Sequence, residues 1–319
     1  MLSHKLLSQI VQVHGFSAMG CAPAEAVKEW RVAQWKDYLR SGRHAEMHYL
    51  EQHLEKRLNP TLLVEGAQSV VCVALNYFTE EEFPKDSYRL ARYARGKDYH
   101  DEMKERLQKI LHSIAELTGN ATPGRAFCDT APVDEHYWAW RTGLGWLGRN
   151  TQLIIPQAGS YFFIGTLILT EPIDRYDSPQ PNRCGTCTRC LEACPTGALT
   201  EKGIDARRCL SYLTIEHRGA LPDFAQKALR NDATTPLCFY GCDHCQDVCP
   251  HNRFAMPTSC EAFRPSPALL HQTADDWRHL TVETYRTLFK GSAVKRAKYE
   301  GLQRNIAALN ENNEGDALT

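Results

Sequence analysis

Two cysteine-rich stretches, CGTCTRCLEACP at residues 184–195 and CDHCQDVCP at residues 242–250, decide how this chain of 319 residues must fold. The first spaces its cysteines as Cys-x-x-Cys-x-x-Cys-x-x-x-Cys-Pro, and the second repeats the end of that pattern with three cysteines. Two intervening residues let a tight loop place successive thiolates around one centre. The three-residue step starts a helical turn that directs the last sulfur elsewhere, and the proline that follows fixes φ and donates no N–H. The sequence therefore predicts two metal centres that exchange ligands.

This spacing is the iron–sulfur signature of bacterial ferredoxins with two clusters, in which the fourth cysteine of a run binds the other cluster. The second run lacks one ligand, and Cys209 and Cys238 are the candidates. We favour Cys209, because it lies between the runs at the start of an apolar helical pattern, as a crossing ligand would. The predicted ligands form two sets of four, namely Cys184, Cys187, Cys190 and Cys249 for the first cluster and Cys194, Cys209, Cys242 and Cys245 for the second.

Structural zinc and disulfides are the alternatives to iron–sulfur clusters. Pairs of Cys-x-x-Cys also bind zinc, but zinc explains neither the third regularly spaced cysteine nor the two Cys-Pro endings. The first sixteen residues interleave polar and apolar side chains as an amphipathic helix does, not as a secretion signal does. No apolar run approaches the roughly 20 residues of a membrane span. We therefore expect a cytoplasmic protein whose 13 cysteines are reduced.

The charge balance limits the classes of partner. The chain carries 37 basic and 38 acidic residues, a formal net charge of -1. No global field therefore attracts it to nucleic acid or to a membrane, and a polyanion must be held by a local patch. A chain of this length can bury a sizeable core and does not need a metal merely to fold.

The fold class follows from the order of the patterns. Residues 1–175 alternate helical and strand patterns, including continuous apolar runs at Val70–Tyr77 and Ser160–Thr170, which predicts an α/β (α+β) domain. A charged helical stretch is expected over Trp30–Leu58. The proline-rich segment 176–182 marks a boundary. We expect three parts, residues 1–175 as a mixed α/β domain for cofactor and substrate, 176–260 as a two-cluster ferredoxin-like domain, and 261–319 as a helical segment packed on the core.

Two further segments are candidates for binding or catalysis. RLARYARGKDYH at residues 89–100 mixes basic and aromatic side chains. This composition is typical of a segment that binds an anionic ligand with flat groups, and the alternative is a solvated surface loop. Asp129 follows a strand pattern and is either a catalytic carboxylate or a cap of the helix that runs through Trp140. Gly143, Gly145 and Gly148 match G-x-G-x-x-G, but they follow a helix instead of opening one, which excludes a dinucleotide site. We interpret them as positions where a bulky ligand approaches the backbone.

Together, the cysteine runs, Cys209 and the phrases RYARGKDYH, DTAPVDE and GLGWLGRN resemble the epoxyqueuosine reductase family across nearly the whole chain. The resemblance implies a cobalamin-dependent enzyme with two 4Fe-4S clusters that reduces epoxyqueuosine to queuosine at the wobble position of tRNA. It implies base-off cobalamin held by the N-terminal domain against the proximal cluster, with electrons relayed from the distal one.

The resemblance also implies roles for single residues. Asp129 aligns with the family's proton donor, which must stay neutral near pH 7, and burial would achieve this. The expected apolar wall around it is Phe127, Trp138, Trp140 and Trp146. His136 stands where family members commonly carry Arg, so one anionic contact becomes pH-dependent. The positions that match corrinoid contacts of the family are Arg57, Ala91, Arg92, Asp129, Leu153, Ile164 and Ser211.

The expected partners are tRNA carrying epoxyqueuosine and an electron donor such as a ferredoxin or flavodoxin, with the enzyme a monomer. The chain stops without the helical-repeat extension of longer family members, so the expected tRNA surfaces are the loop from Arg89 to Lys97 and the helix from Lys295 to Arg304. Two other functions remain open at this point. A reductive dehalogenase uses the same cofactors, and a ferredoxin-like electron carrier would explain the cysteines but leave the first 175 residues without a task.

Overall fold

The computed structural model describes residues 1–230 and 237–310. The last nine residues of the predicted C-terminal segment lie outside the described residues. Within the described ranges the strands are β1 Ala18–Pro23, β2 Ser69–Asn76, β3 Tyr88–Leu90, β4 Gly124–Phe127, β5 Trp146–Leu147, β6 Leu153–Ile154, β7 Phe162–Leu169, β8 Leu199–Thr200, β9 Gly203–Ile204 and β10 Leu237–Tyr240. The α-helices are α1 His4–Val13, α2 Glu29–Arg40, α3 Leu54–Arg57, α4 Tyr99–Thr118, α5 Glu135–Arg141, α6 Arg189–Glu192, α7 Leu210–Ile215, α8 Asp223–Arg230, α9 His244–Asp247, α10 Pro267–Leu270, α11 Ala274–Arg278, α12 Val282–Leu288 and α13 Lys298–Asn310.

The main sheet has four strands in the order β1-β2-β7-β4, and every neighbouring pair is antiparallel. The central pair β2 and β7 stays in register from Ser69 opposite Leu169 to Asn76 opposite Phe162. The antiparallel pairing places the fold in the α+β class. The two continuous apolar runs of the sequence form this central pair, because a strand covered on both faces has no solvent-facing side chains.

Helices cover both faces of the sheet, and the period of two along β2 divides its side chains between them. Val71 and Val73 pack in the cluster formed with α1 and α4. Val70 and Cys72 point the other way and pack in the cluster that contains Trp138 of α5. Burial of the central strands between two helical layers therefore holds the N-terminal half together.

A second hydrophobic core lies outside the main sheet. Strand β3 pairs in parallel with β10, and Phe239 packs there against Trp277 and Phe289 from the C-terminal helices. The segment around β3 thus packs with residues that follow it by about 150 positions in the chain. The three-part division predicted above stays a prediction.

Two local expectations about helices are wrong. Trp30–Leu58 is not one helix, since α2 ends at Arg40 and the chain turns at Gly42, whose φ is 64°, before the four residues of α3. The residue that caps α5 is Asp134, whose side chain accepts a hydrogen bond from the backbone N–H of Tyr137 at 3.3 Å. Asp129 lies five residues before that cap and is not part of it.

The interpretation of the three glycines stays a prediction for Gly148, which lines a large cavity, whereas Gly143 and Gly145 accommodate the chain itself. Gly143 follows α5 with a φ of 76°. A Cβ on Gly145 would lie 2.3 Å from the backbone oxygen of Ile154, and one on Gly148 would lie 2.5 Å from Oδ1 of Asn150. Close packing of the β5–β6 hairpin therefore requires glycine there. Within the described ranges, no helix combines the length and apolar character needed to cross a lipid bilayer.

Candidate functional site

A cavity of about 1370 Å³ lies between the main sheet and the cysteine-rich segment. Ligand pockets usually span roughly 300–1,000 Å³, so this cavity has room for more than one small molecule. Its walls include α2 and the start of α5 on one side, Phe162 to Ile164 of β7 at the base, and the cysteine loops opposite. Concave space enclosed by rigid elements makes it the candidate site.

The cysteines of the two predicted sets differ in their position relative to this cavity. Four of them line the large cavity, namely Cys194, Cys209, Cys242 and Cys245. Burial raises the pKa of the Cys242 and Cys245 thiols, and the nearby Cys209 raises both further. Burial likewise raises the pKa of Cys190 and Cys249, with added contributions from Cys184 and Cys187. The two groups lie close together, because Cys190 also raises the pKa of Cys245, and Cys238 raises that of Cys242.

The candidates for the eighth ligand differ in their surroundings. Cys209 lines the large cavity at the N-cap of α7. Cys238 is buried in β10, and its thiol donates to the backbone carbonyls of Tyr240 and Gly241 at 3.3 and 3.7 Å. The Cys238 sulfur is close enough to Cys242 to raise the pKa of that thiol, but the Cys238 S–H already donates to the two backbone carbonyls. The assignment of Cys209 stays a prediction that this geometry supports.

Cysteine thiolates are the ligands that iron–sulfur clusters require, and each predicted set supplies four of them. A 4Fe-4S cluster in each set would be held by the eight cysteines named above.

The residues predicted to contact a corrinoid are only partly brought together. Four of the seven line the large cavity, namely Arg57, Asp129, Ile164 and Ser211. Arg92 instead lines a shallower cavity of about 950 Å³ beside Cys249. Ala91 is buried with its Cβ facing Gly241, and Leu153 is buried against Gly145. Ala91 and Leu153 therefore lie outside the wall of either cavity, and their predicted contact role loses support.

Asp129 projects into the cavity from a strained turn after β4. Its φ is 55°, and its backbone N–H donates to both carboxylate oxygens of Glu135 at 3.0 and 3.1 Å. A positive φ in a residue with a side chain costs about 1–3 kcal/mol, and this hydrogen bond helps to hold it. The Tyr99 hydroxyl donates to Oδ2 of Asp129 at 2.6 Å, and Nε2 of His100 lies 3.8 Å from the same oxygen. Nδ1 of His100 is 2.7 Å from Oδ1 of Asp98.

The electrostatics of this group contradict one expectation. Burial opposes the charged form of Asp129, but hydrogen bonds from His100 and Tyr99 outweigh it and lower the pKa of Asp129. The side chain is 65% accessible, because it opens into the cavity even though protein surrounds it. Burial against four aromatic residues does not keep it neutral, since Phe127 and Trp138 pack in the core and only Trp140 and Trp146 reach the cavity.

Two neighbours of Asp129 hold protons near neutral pH instead. The hydrogen bond to Asp129, aided by Asp98, raises the pKa of His100 to about 8. Burial and the charge of Asp129 raise the pKa of Glu135 to about 8. At pH 7 His100 is therefore mostly cationic and Glu135 mostly neutral. Sequence reasoning missed both residues, although His100 and Tyr99 stand together in the phrase DYH and Glu135 directly follows the cap of α5.

His136 has the charge state that the sequence predicts. Burial lowers its pKa, so it is mostly neutral at pH 7. A cation is nevertheless present on this wall, since Arg31 of α2 donates two hydrogen bonds to Asp134 at 2.6 and 2.8 Å. Trp35 donates to the same carboxylate at 2.6 Å. No pattern in the sequence indicates a role for Arg31, because its position depends on how α2 packs against α5.

The two surfaces expected to bind tRNA are largely occupied by internal contacts. Arg89 and Arg95 are buried. Arg296 pairs with Glu216, with a distance of 2.7 Å between Nη2 and Oε2. Arg304 donates to three backbone carbonyls, those of Leu213, His217 and Gly219. These guanidinium groups hold the fold together. Burial removes Arg89 and Arg95 from the expected tRNA surface, while the rest of the two segments, including the exposed Arg296, stays a prediction.

Two sets of thiolates, one of them facing a large cavity beside ionisable groups, form the arrangement of an enzyme that passes electrons from metal centres to a bound substrate. The fold and the site thus define an iron–sulfur oxidoreductase.

Comparison with known proteins supplies the family. Residues 57–130 match the family model described as epoxyqueuosine reductase QueG, DUF1730, and residues 183–252 match the 4Fe-4S double cluster binding domain. The epoxyqueuosine reductase of Leadbetterella byssophila is 43% identical over 299 residues, which cover 93% of this chain and 95% of that protein. That of Pseudomonas aeruginosa is 37% identical over 302 residues, which cover 92% of this chain and 81% of that protein. The chain therefore belongs to the epoxyqueuosine reductase family.

Solved structures agree with this assignment. A crystal structure of epoxyqueuosine reductase with a tRNA-Tyr epoxyqueuosine-modified stem loop matches with a TM-score of 0.83 and 26% identity, over 96% of this chain and 80% of that one. The structure of the reductase from Streptococcus thermophilus matches equally well, with a TM-score of 0.83 and 26% identity over the same shares. The fold expected from the sequence is confirmed.

Proposed function

We propose that this chain reduces epoxyqueuosine to queuosine at the wobble position of tRNA, with base-off cobalamin and two 4Fe-4S clusters. The observation that carries the proposal is that one cavity is lined both by four of the cluster cysteines and by Asp129 with its neighbours Tyr99 and Glu135. A protein that only carries electrons would not need a cavity of this size beside its clusters. The related structure that holds an epoxyqueuosine-modified tRNA stem loop supports tRNA as the substrate.

The stoichiometry of the reaction defines what the site must supply. Conversion of the epoxide to an alkene takes two electrons and two protons and releases the oxygen as water. When bound, the clusters deliver electrons singly and the corrinoid provides a reactive centre that carries out the reduction at carbon. The side chains proposed to hold the corrinoid beside the second cluster are Arg57, Ile164 and Ser211, all on the cavity wall.

The protons are the task of this chain's own residues. The epoxide oxygen would leave as an alkoxide unless it is protonated as the carbon–oxygen bond breaks. Asp129 lies on the cavity wall, and His100 is mostly protonated at pH 7 and 3.8 Å away. We assign His100, oriented by Asp98, the supply of the proton, and Asp129, whose carboxylate is ionised at rest, its relay to the departing oxygen. Tyr99 fixes the orientation of the Asp129 carboxyl through its 2.6 Å hydrogen bond.

Other parts of the proposal concern the setting of the enzyme. The protein acts as a cytoplasmic monomer and receives its electrons from a ferredoxin or flavodoxin. The rim of the large cavity receives the anticodon loop, with the indole of Trp30 44% exposed and near the mouth. An exposed indole offers a stacking surface to an unpaired base.

The test is anaerobic incubation of the cluster-loaded protein with cobalamin, a strong chemical reductant and tRNA that carries epoxyqueuosine. Nucleoside mass analysis should show loss of one oxygen from the modified nucleoside. In the same assay Asp129→Asn should lower turnover at least about 100-fold, in the range expected for a general acid, while iron content and cobalamin binding stay unchanged. Asp101→Asn, in the first turn of α4 outside the cavity, is the matched control. Unchanged tRNA with fully loaded wild-type protein would refute the proposal.

A further inference from the structure

The shallower cavity of about 950 Å³ lies on the face of the first cysteine set, away from the wall that carries Asp129. Cys249 and Pro250 line it, together with Arg189 of α6 and Arg253. Of the two predicted clusters, the one with Cys249 therefore borders this outer face. The other borders the substrate cavity.

Two arginines on this face have no acidic partner. Arg189 and Arg253 line the cavity and are exposed, and no carboxylate in the described ranges lies within 4.0 Å of their guanidinium nitrogens. The two acidic residues that line the cavity are partly engaged, since Asp247 lies within 4.0 Å of two other arginines and Glu192 accepts a hydrogen bond from Thr188. The face thus carries an excess of positive charge.

Exposed apolar side chains adjoin these arginines. Phe254 is 37% exposed and Met256 is 71% exposed. The guanidinium carbon of Arg253 lies 4.5 Å from the centre of the Phe254 ring. Arginine, methionine and aromatic side chains are enriched at protein–protein interfaces. The composition favours a protein partner, because contacts to a phosphate backbone would not need Phe254 or Met256.

We infer that this face, formed by Arg189, Arg253, Phe254 and Met256, is the docking site of an acidic carrier protein that delivers single electrons to the first cluster. The inference rests on the proposed function, which needs an external reductant. Electron transfer slows steeply with distance, so the carrier must dock beside the more accessible cluster while tRNA occupies the opposite cavity. Two carriers each lose one electron per turnover, and with two protons these electrons convert the epoxide to alkene and water.

Charge complementarity predicts how docking responds to salt and to mutation. Opposite charges on two partners raise the association rate, and the effect weakens as ionic strength rises. Docking of a carrier with an acidic surface should therefore weaken with added salt. Reversal of two arginine charges should weaken it further and remove much of the salt dependence.

The experiment uses the cluster-loaded protein without oxygen and a bacterial flavodoxin as the probe. Binding of oxidised flavodoxin is followed by its flavin fluorescence, and cluster reduction by flavodoxin hydroquinone is followed by stopped-flow absorbance. We expect Arg189→Glu combined with Arg253→Glu to weaken binding and to slow reduction at least tenfold. Reduction by dithionite, a small reductant that needs no docking site, should be unchanged. Arg286→Glu on the exposed face of α12 is the matched control and should behave as wild type.

The outcomes separate this inference from the proposed function. Equal binding and equal reduction rates in the double variant and wild type, at unchanged iron content, would overturn the docking site. Loss of tRNA affinity in the double variant, with flavodoxin binding intact, would overturn it too and assign the face to RNA. If flavodoxin binding depends on the arginines while dithionite-reduced enzyme leaves the modified nucleoside unchanged, the docking site stands and the proposed function fails.

Discussion

Replacement of Glu135 by Gln should stabilise the protein, and the gain should grow with pH. Glu135 is enclosed next to Asp129, and burial together with that charge raises the pKa of its carboxyl from 4.5 to about 8. In the unfolded chain the same carboxyl ionises near its ordinary value. Between these two pKa values the folded state binds more protons than the unfolded state, so stability falls as pH rises. Glutamine keeps the oxygen that accepts the Asp129 N–H but has no proton to hold.

The size of the effect follows from the shift. Each pKa unit corresponds to about 1.4 kcal/mol. Glu135 therefore lowers the free energy of unfolding by about 3 kcal/mol at pH 7 and by about 1 kcal/mol at pH 5. The penalty levels off above pH 8, where the folded-state carboxyl also ionises. With an unfolding entropy of about 2.1 cal/mol/K per residue, a gain of 3 kcal/mol raises the Tm of a chain of 319 residues by roughly 5 °C.

Thermal unfolding without oxygen, measured from pH 5 to pH 8.5 on cluster-loaded protein, tests this reasoning. The Tm of Glu135→Gln should exceed that of wild type by roughly 1 °C at pH 5 and by roughly 5 °C at pH 7. Glu65, an exposed glutamate that precedes β2, provides the control. The Tm of Glu65→Gln should equal that of wild type at every pH. A difference between Glu135→Gln and wild type that does not change with pH would show that Glu135 is not held neutral.

Three further predictions address the proton route, the ligands and the packing. In wild type we expect kcat/KM to fall as pH rises through about 8, because the His100 imidazolium loses its proton there. His100→Gln should abolish this fall, and rate measurements from pH 6 to 9 check it. Cys209→Ser should lower the iron content of reconstituted protein by about half, because one of two cubane clusters loses a ligand, whereas Cys238→Ser should keep it. Gly145→Ala should destabilise the fold by about 1–3 kcal/mol, because its Cβ would lie 2.3 Å from the oxygen of Ile154, and denaturant unfolding measures this.

The sequence predicted what depends on local pattern. The apolar runs that form β2 and β7 were recognisable because a strand buried on both faces has no polar alternation. Helix α4 was recognisable from its spacing of apolar residues, and Gly119 ends it with a φ of 70°. The two cysteine sets stay a prediction, which depends on the two- and three-residue gaps for seven ligands and on the position of Cys209 for the eighth.

Features that depend on contacts between distant segments could not be predicted in this way. Glu135 lies beneath Asp129 only because the turn after β4 has a positive φ. The arginines of residues 89–95 seemed available for RNA, but β3 pairs with β10, and this pairing buries Arg89. Neither the pairing nor the turn leaves a periodic signal in the sequence. The protonation state of Asp129 could not be predicted either, because its pKa depends on residues of another helix.

The two short helices of the cysteine runs separate the proposed substrate cavity from the face proposed to bind an electron carrier. Helix α6 contains Cys190 and precedes Cys194, and α9 contains Cys245 and precedes Cys249. The two helices pack against each other, and in the proposed ligand sets the last cysteine of each run binds the cluster of the other run. Such an exchange keeps the clusters at a fixed separation while they border different cavities. Electrons can then enter at one face and leave at the other without movement of the protein, and the crossing cysteines hold both centres in place.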